Sequence, residues 1–471
     1  MLELAQTQPS GLNGQATAGA QRAGLAAGDL QMNHYGGRRL PFTCLGGSGL
    51  VQRFAATDGP ERGEPFEVID TSGGYGSACL GAGHPAVAAA LARAVREVGY
   101  ATDEVGSAER SLLLDELFGP HGRWAGTFPG DEYHVSGRNS GSEGLELALR
   151  LVLESRFDGR RLAAVPGKEG RDTILAFEGA WHGWTSGLTP FLNRRHYRVG
   201  LPGVDPAAAF GVRVVHIPYG EPTAMREFVA RNGDRLLAVF VEPVQGDAGI
   251  LEPPPGYLRE LAGLTAAAGG LLVADEVLTF AKTGRWFAAA DEQGPIPTDV
   301  TVIGKSLGMG VLSTSMVIAR RSLSVRSSGA VSTSDLRPLT CAVIRDGLRH
   351  LDETGLMPAA GPKGEILRDL LRSELVERFP SEYREVRGRG FMQGVELTES
   401  AAGRLTRLRH HLIRAGVYTE FMAGAGRRSH GLRYVHPTMR IAPPLIAEAD
   451  DLREIVRRLV AGTAAFLEEA Q

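Results

Sequence analysis

The chain has 471 residues, 43% of them hydrophobic and 22% charged, which is ordinary for a globular protein and leaves room for two or three domains with large cores. A net charge of −3 gives no attraction to nucleic acid or to an anionic membrane, and no run of about 18 apolar residues offers a membrane span. Three widely spaced cysteines (Cys44, Cys79, Cys341) and the lack of a basic-then-apolar leader predict a cytoplasmic protein without a disulfide framework or a metal site.

Residues 1–32, rich in Ala, Gly and Gln with no sustained period, are expected to form a flexible tail. Many glycines follow. A helix should then open at His84-Pro85 and stop at Gly99, with Pro just inside and Gly just past its ends. From about 105 to 340, helical stretches alternate with continuous apolar runs at Glu132–Ser136, Thr173–Phe177, Val214–Ile217, Leu236–Val241, Leu271–Ala274 and Val300–Ile303. Continuous rather than alternating apolarity predicts strands buried on both faces, hence an α/β domain built on a mainly parallel sheet. Beyond about 341 the pattern predicts a smaller α+β part. Its helices fall near 362–378, 400–415 and 448–469, and its strands near 386–397 and 433–442.

Only four lysines (Lys168, Lys282, Lys305, Lys363) stand among the 51 basic residues. Lys305 lies between an apolar strand and the glycine-rich Ser306-Leu-Gly-Met-Gly310, a place where a desolvated amine can form a Schiff base and Arg cannot. The ordinary alternative, a solvated loop lysine, suits the polar, glycine-flanked contexts of Lys168, Lys282 and Lys363. Asp275 ends the run Leu271–Ala274, at the strand end where parallel sheets bind ligands, and can hold a pyridinium nitrogen protonated; a cap or turn is its bland reading. A Schiff-base lysine with an acid partner is the minimum kit for pyridoxal phosphate (PLP).

Asn139-Ser140-Gly141-Ser142-Glu143 joins a strand to a helix, whose first N–H groups can bind phosphate. A plain serine cap is the alternative there. Trp181-His182-Gly183 follows another strand; Trp181 can stack on a ring and Trp184 can line a substrate funnel, or both can be core. Glu242-Pro-Val-Gln-Gly-Asp247 ends a further strand, with Glu242 either supporting a cofactor or completing a structural ion pair.

In this order the segments resemble the class III (subgroup II) aminotransferases of PLP fold type I (aspartate aminotransferase-like), over roughly residues 35–465. The family's Asn-Ser-Gly-Thr-Glu, aromatic-His-Gly, Glu-Pro-x-x-Gly, Asp-Glu-Val and Gly-Lys-x-x-Gly-Gly-Gly segments are similar to residues 139–143, 181–183, 242–246, 275–277 and 304–310. Arg387–Gly394 and Arg440–Leu445 resemble two later ones. The resemblance implies a PLP-binding large domain over 105–340 and a small domain built from 33–104 and 341–471. It implies a homodimer with shared active sites, in which Thr333, five residues before Pro338, reaches the partner's phosphate. Lys305 would carry the cofactor and move the α-proton, with Asp275 on the ring nitrogen. Ser140, Gly141 and Ser142 would hold phosphate. Trp181, His182 and Glu242 would contact the cofactor, and Trp184, Asp247 and Arg440 the substrate.

Two departures bear on the substrate. Leu278 stands where many relatives carry Gln near the cofactor's phenolic oxygen, closer to the Met of the glutamate-1-semialdehyde aminomutase branch. Residues 36–43 resemble that branch's early loop, yet its carboxylate-binding Arg falls on Thr43. The expectation is transamination of an amino sugar, aminocyclitol or other specialised amine, with Arg440 either gated by Asp247 for a small donor or held by it in a permanent structural ion pair. An aminomutase or epimerase is the alternative. A non-catalytic PLP-fold regulator would need an attached DNA-binding segment or a lost lysine.

Overall fold

The computed structural model describes residues 40–158, 163–194, 211–324 and 331–469; the expected tail over 1–32 lies outside them, as do residues 36–39 of the early loop. Strands β1 (Phe42–Ser48), β2 (Val51–Ala56) and β3 (Pro65–Asp70) form an antiparallel meander. Helix α1 (Pro85–Arg93) follows, continued by a π-helical turn over Ala94–Val98. It starts and stops as its ends dictate: His84 caps the Ala86 N–H, Pro85 needs no partner, and Gly99 turns away at φ 69°. Helix α2 (Ala108–Phe118) completes this part.

Next come β4 (Tyr133–Arg138), α3 (Gly141–Glu154), β5 (Thr173–Phe177), β6 (Arg213–Ile217), α4 (Pro222–Asn232) and β7 (Leu236–Val241). Then follow α5 (Tyr257–Ala267), β8 (Leu271–Glu276), β9 (Val300–Ile303) and β10 (Ser315–Arg320). The seven strands make one sheet in the order β4-β10-β9-β8-β7-β5-β6, with β10 alone running against the rest. Leu145, Ala148 and Val152 of α3 cover one face, against Val273, Val302 and Val317; Phe228 and Leu261 of α4 and α5 cover the other, against Leu175 and Val239. Every expected run is a strand. The antiparallel β10 was not foreseen, because its short apolar stretch follows the Lys305 turn with no helix between them to announce a new strand.

The chain continues through α6 (Pro338–Thr354), α7 (Leu356–Leu370), β11 (Tyr383–Arg389), β12 (Met392–Leu397), α8 (Leu405–Arg414), β13 (Val417–Tyr418), β14 (Glu420–Met422), β15 (Thr438–Ile441) and α9 (Ala449–Glu468). β11-β12-β15-β14 form an antiparallel sheet, and β13 pairs in parallel with β3, joining the two ends of the chain in one sheet. The expected strand over 386–397 is therefore a hairpin, and that over 433–442 shortens to β15. No described helix is long and apolar enough to cross a membrane.

Candidate active site

β4, β5, β7, β8 and β9 run the same way, so their carboxyl ends open on one edge of the sheet, where a ligand approaches a parallel fold. Asp275 sits at the end of β8, 6% exposed. Its Oδ2 lies 2.9 Å from His182 Nδ1 and its Oδ1 accepts from the Val277 N–H at 3.0 Å. Its neighbour Glu276 faces the opposite side of the strand and holds the following turn, accepting from the Ala288 and Ala289 N–H groups. Burial works against a charged His182, but the hydrogen bond and charge of Asp275, with the charge of Glu242, outweigh it and raise its pKa.

Glu242, at the end of β7, accepts from the Trp181 N–H at 2.9 Å and the Gly246 N–H at 3.2 Å. Burial pushes its carboxyl up to about 7, against the nearby His182. Trp181 and Trp184 stack on each other, ring centroids 5.2 Å apart and 22° from parallel, so the aromatic wall here is a pair. The Trp184 N–H reaches Ser142 Oγ at 3.3 Å, and a Cβ on Gly183 (φ 111°) would stand 2.5 Å from that oxygen. Only glycine fits where this loop meets the start of α3.

Ser140 caps α3, its Oγ accepting from the Glu143 N–H at 3.2 Å, so Gly141 and Ser142 stand in the first turn, where N–H groups lack intrahelical carbonyls. A Cβ on Gly141 would come 2.6 Å from Val277 Cγ1, so the helix start presses on the exit of β8. Lys305 heads a short turn over Lys305–Gly308 after β9. Burial, then the charge of Arg440, brings its amine down to about 8, against the pull of Asp275, Glu242 and Asp247.

Two expectations change. Arg440, 3% exposed, pairs with Glu420 directly across β14 and β15, while Asp247 pairs with Arg194. The direct Asp247–Arg440 gate is thus replaced by two separate pairs. Asp247 still acts on Arg440 through its charge, and burial holds that guanidinium down at about 10. The solvated reading of Lys282 is wrong: it is 4% exposed, and its Nζ donates to the Leu278 carbonyl and to Ser306 Oγ. The scarcity argument that singled out Lys305 would have flagged Lys282 too. No local signal announced Glu420 or Arg194, since only strand register and loop closure bring them in. Thr333 is exposed and has no contact with this cluster among the described residues; Asp335, two residues on, fastens its loop to β4 through Ser136 Oγ and the Gly137 N–H. Thr43 lies in β1, opposite Ala55.

The arrangement fits PLP. It offers a desolvated amine, a buried carboxylate backed by His182, an aromatic wall and the open first turn of a 14-residue helix for phosphate. The Aminotransferase class-III family model matches residues 63–462, and the chain belongs to that family. It is a PLP-dependent transaminase. Ornithine aminotransferase from Toxoplasma gondii ME49 superposes with a TM-score of 0.79 at 23% identity, over 98% of this chain and 100% of that one. A second structure of the T. gondii enzyme, described as having partial occupancy of PLP at its active site, gives 0.77 at 25% identity, over 96% and 98%. An (S)-enantioselective omega-transaminase from Thermomicrobium roseum gives 0.76 at 21% identity, over 96% and 98%.

Proposed function

We propose that this transaminase moves an amino group between a small amino donor and the carbonyl carbon of a specialised polar substrate, with amino sugars and aminocyclitols as the favoured class. The observation that carries this reading is that Arg440 and Arg194 are each already paired with an acid, Glu420 and Asp247 respectively. A carboxylate gains about 1.5–3 kcal/mol from a charge-assisted contact. Here it would first have to displace an acid already in place. The 58% exposed Trp184, stacked on Trp181, offers a flat surface to the apolar face of a ring that carries hydroxyls.

Bound PLP supplies an electron sink for the bond that breaks at the amine-bearing carbon. Lys305 Nζ takes the proton from that carbon and returns it, an amine brought down to about 8 being part neutral at working pH. Asp275 would pair with the cofactor's ring nitrogen, and the His182 hydrogen bond holds its carboxylate in place. Ser140, Gly141 and Ser142 bind phosphate. Glu242 fixes the loop that carries Trp181. The enzyme works in the cytoplasm as a homodimer in which Thr333 of one protomer reaches the phosphate of its partner. The three unpaired cysteines suit a reducing compartment.

The test is a single turnover in deuterated water, with stoichiometric PLP-loaded enzyme, a panel of amino sugars and aminocyclitols, and no carbonyl acceptor. One equivalent of carbonyl product from such an amine supports the reading. Many turnovers to an isomer or a deuterium-labelled amine would replace it with an aminomutase or epimerase. Reaction with simple α-amino acids alone would remove the substrate class.

Two variants probe the details. Thr333→Ala should weaken PLP retention on dialysis about tenfold or more, as expected for a lost hydrogen bond to a charged group; unchanged retention would exclude Thr333 from the phosphate. Glu420→Gln leaves Arg440 buried without its acid, which should cost roughly 3–5 kcal/mol of stability. Added dicarboxylate should restore much of the lost thermal midpoint if Arg440 faces the donor site.

A further inference from the structure

Lys282 has no part in the reaction as described, yet it lies against the turn that carries Lys305. Its Nζ donates to the Leu278 carbonyl at 2.9 Å and to Ser306 Oγ at 2.6 Å. Two acceptors match the two N–H bonds of a neutral amine, whereas an ammonium would bring a third into a closed space. That space is tight. Gly76 turns at φ 79°, and a Cβ there would stand 3.0 Å from Lys282 Cε and 3.1 Å from Leu278 Cδ1. Burial first, then the charges of Lys305 and Arg440, favour the neutral form against the pull of Cys79, and bring Lys282 down to about 7.

The turn itself needs holding. Lys305 has φ 45° and Met309 φ 53°, left-handed values that side chains other than glycine rarely adopt. Such backbone persists only where its surroundings fix it. Ser306 is the point of attachment: it receives Lys282, donates to the Gly76 carbonyl at 3.4 Å, and its own carbonyl accepts from Cys79 Sγ at 3.5 Å.

We propose that Lys282 is a positioning residue for Lys305: its amine ties the strained turn, through Ser306, to the Leu278 carbonyl. The inference rests on Lys305 being the reactive amine. The charged or titratable groups facing the pair are Arg440 and Cys79 around Lys282, and Arg440, Asp275, Glu242 and Asp247 around Lys305.

Four lysines make a residue-specific test practical. Full-length apoenzyme is trace-labelled with acetic anhydride across pH, and the acetylation rate of Lys305 is read by mass spectrometry against Lys363. In Lys282→Met, Lys305 should label about tenfold more slowly at pH 8, the size of one strong hydrogen bond. Ser306→Ala should match it, and the double variant should add nothing further, because both changes cut the same tie. Lys282→Gln, which keeps an N–H donor for Ser306, should recover part of the Lys305 labelling rate, a rescue that mere filling of space would not give; Ser306→Ala serves if Lys282→Met does not fold.

An unchanged labelling rate in Lys282→Met or Ser306→Ala with the parent's thermal midpoint overturns the inference, as do effects that multiply in the double variant. Borohydride reduction of PLP-loaded enzyme separates the two readings. Cofactor fixed on Lys282 would defeat both, while cofactor fixed on Lys305 with unaltered labelling would defeat this one alone.

Discussion

Replacing Lys305 by Ala should lower kcat by at least ~10³-fold, within the range that a positioned acid–base group contributes. Lys282 is not a ready substitute, since its Nζ is held by the Leu278 carbonyl and Ser306 Oγ. The same variant should leave no lysine peptide carrying cofactor after borohydride reduction. In the parent, the rate at which apoenzyme captures PLP should climb as pH rises towards about 8, because only the neutral amine adds to an aldehyde and burial brings Lys305 to that value. The sign would be opposite for an amine working as an acid. Activity within about tenfold of the parent, or cofactor reduced onto another lysine, would remove Lys305 from its role.

Asp275→Asn should lower kcat about 10²–10³-fold, the scale of one preorganised electrostatic contact in a dry site. The substitution is nearly isosteric, so the contacts to His182 and to the Val277 N–H can persist in shape while the charge is lost. KM should therefore move little compared with kcat, and PLP should stay bound. His182 provides an independent check. Asp275 is the leading influence holding its pKa up against burial, so its NMR titration midpoint should fall in the variant. Retention of full kcat would assign the ring-nitrogen role to another group.

Much of the fold was written in local pattern. Thr173–Phe177, Leu236–Val241 and Val300–Ile303 are strands to the residue, because strands buried on both faces admit no polar position to blur the pattern. The helix at Pro85 and the serine-capped start of α3 were legible for a similar reason: terminal backbone groups demand particular residues. The meander β1–β3 and the two-residue β13 were not, since partly exposed strands gain their stability from pairing, and β13 finds its partner β3 almost 350 residues away in the chain (Val417 opposite Ile69).

At the site, the sequence by itself determined the kinds of group present and the strand ends that carry them: the amine of Lys305, the acid of Asp275, the helix start at Ser140–Ser142 and the indole of Trp181. Each of these depends on chemistry within a few residues. Only the tertiary structure decided which charges face one another. Arg440 met Glu420 because β14 and β15 pair in that register. Asp247 met Arg194 because the segment beyond β5 folds back onto the turn after β7, and Lys282 was buried because the segment after β8 closes over Ser306. Pairing energies of this kind depend on distance and exclusion of water, and both are fixed by contacts between residues that the sequence keeps far apart.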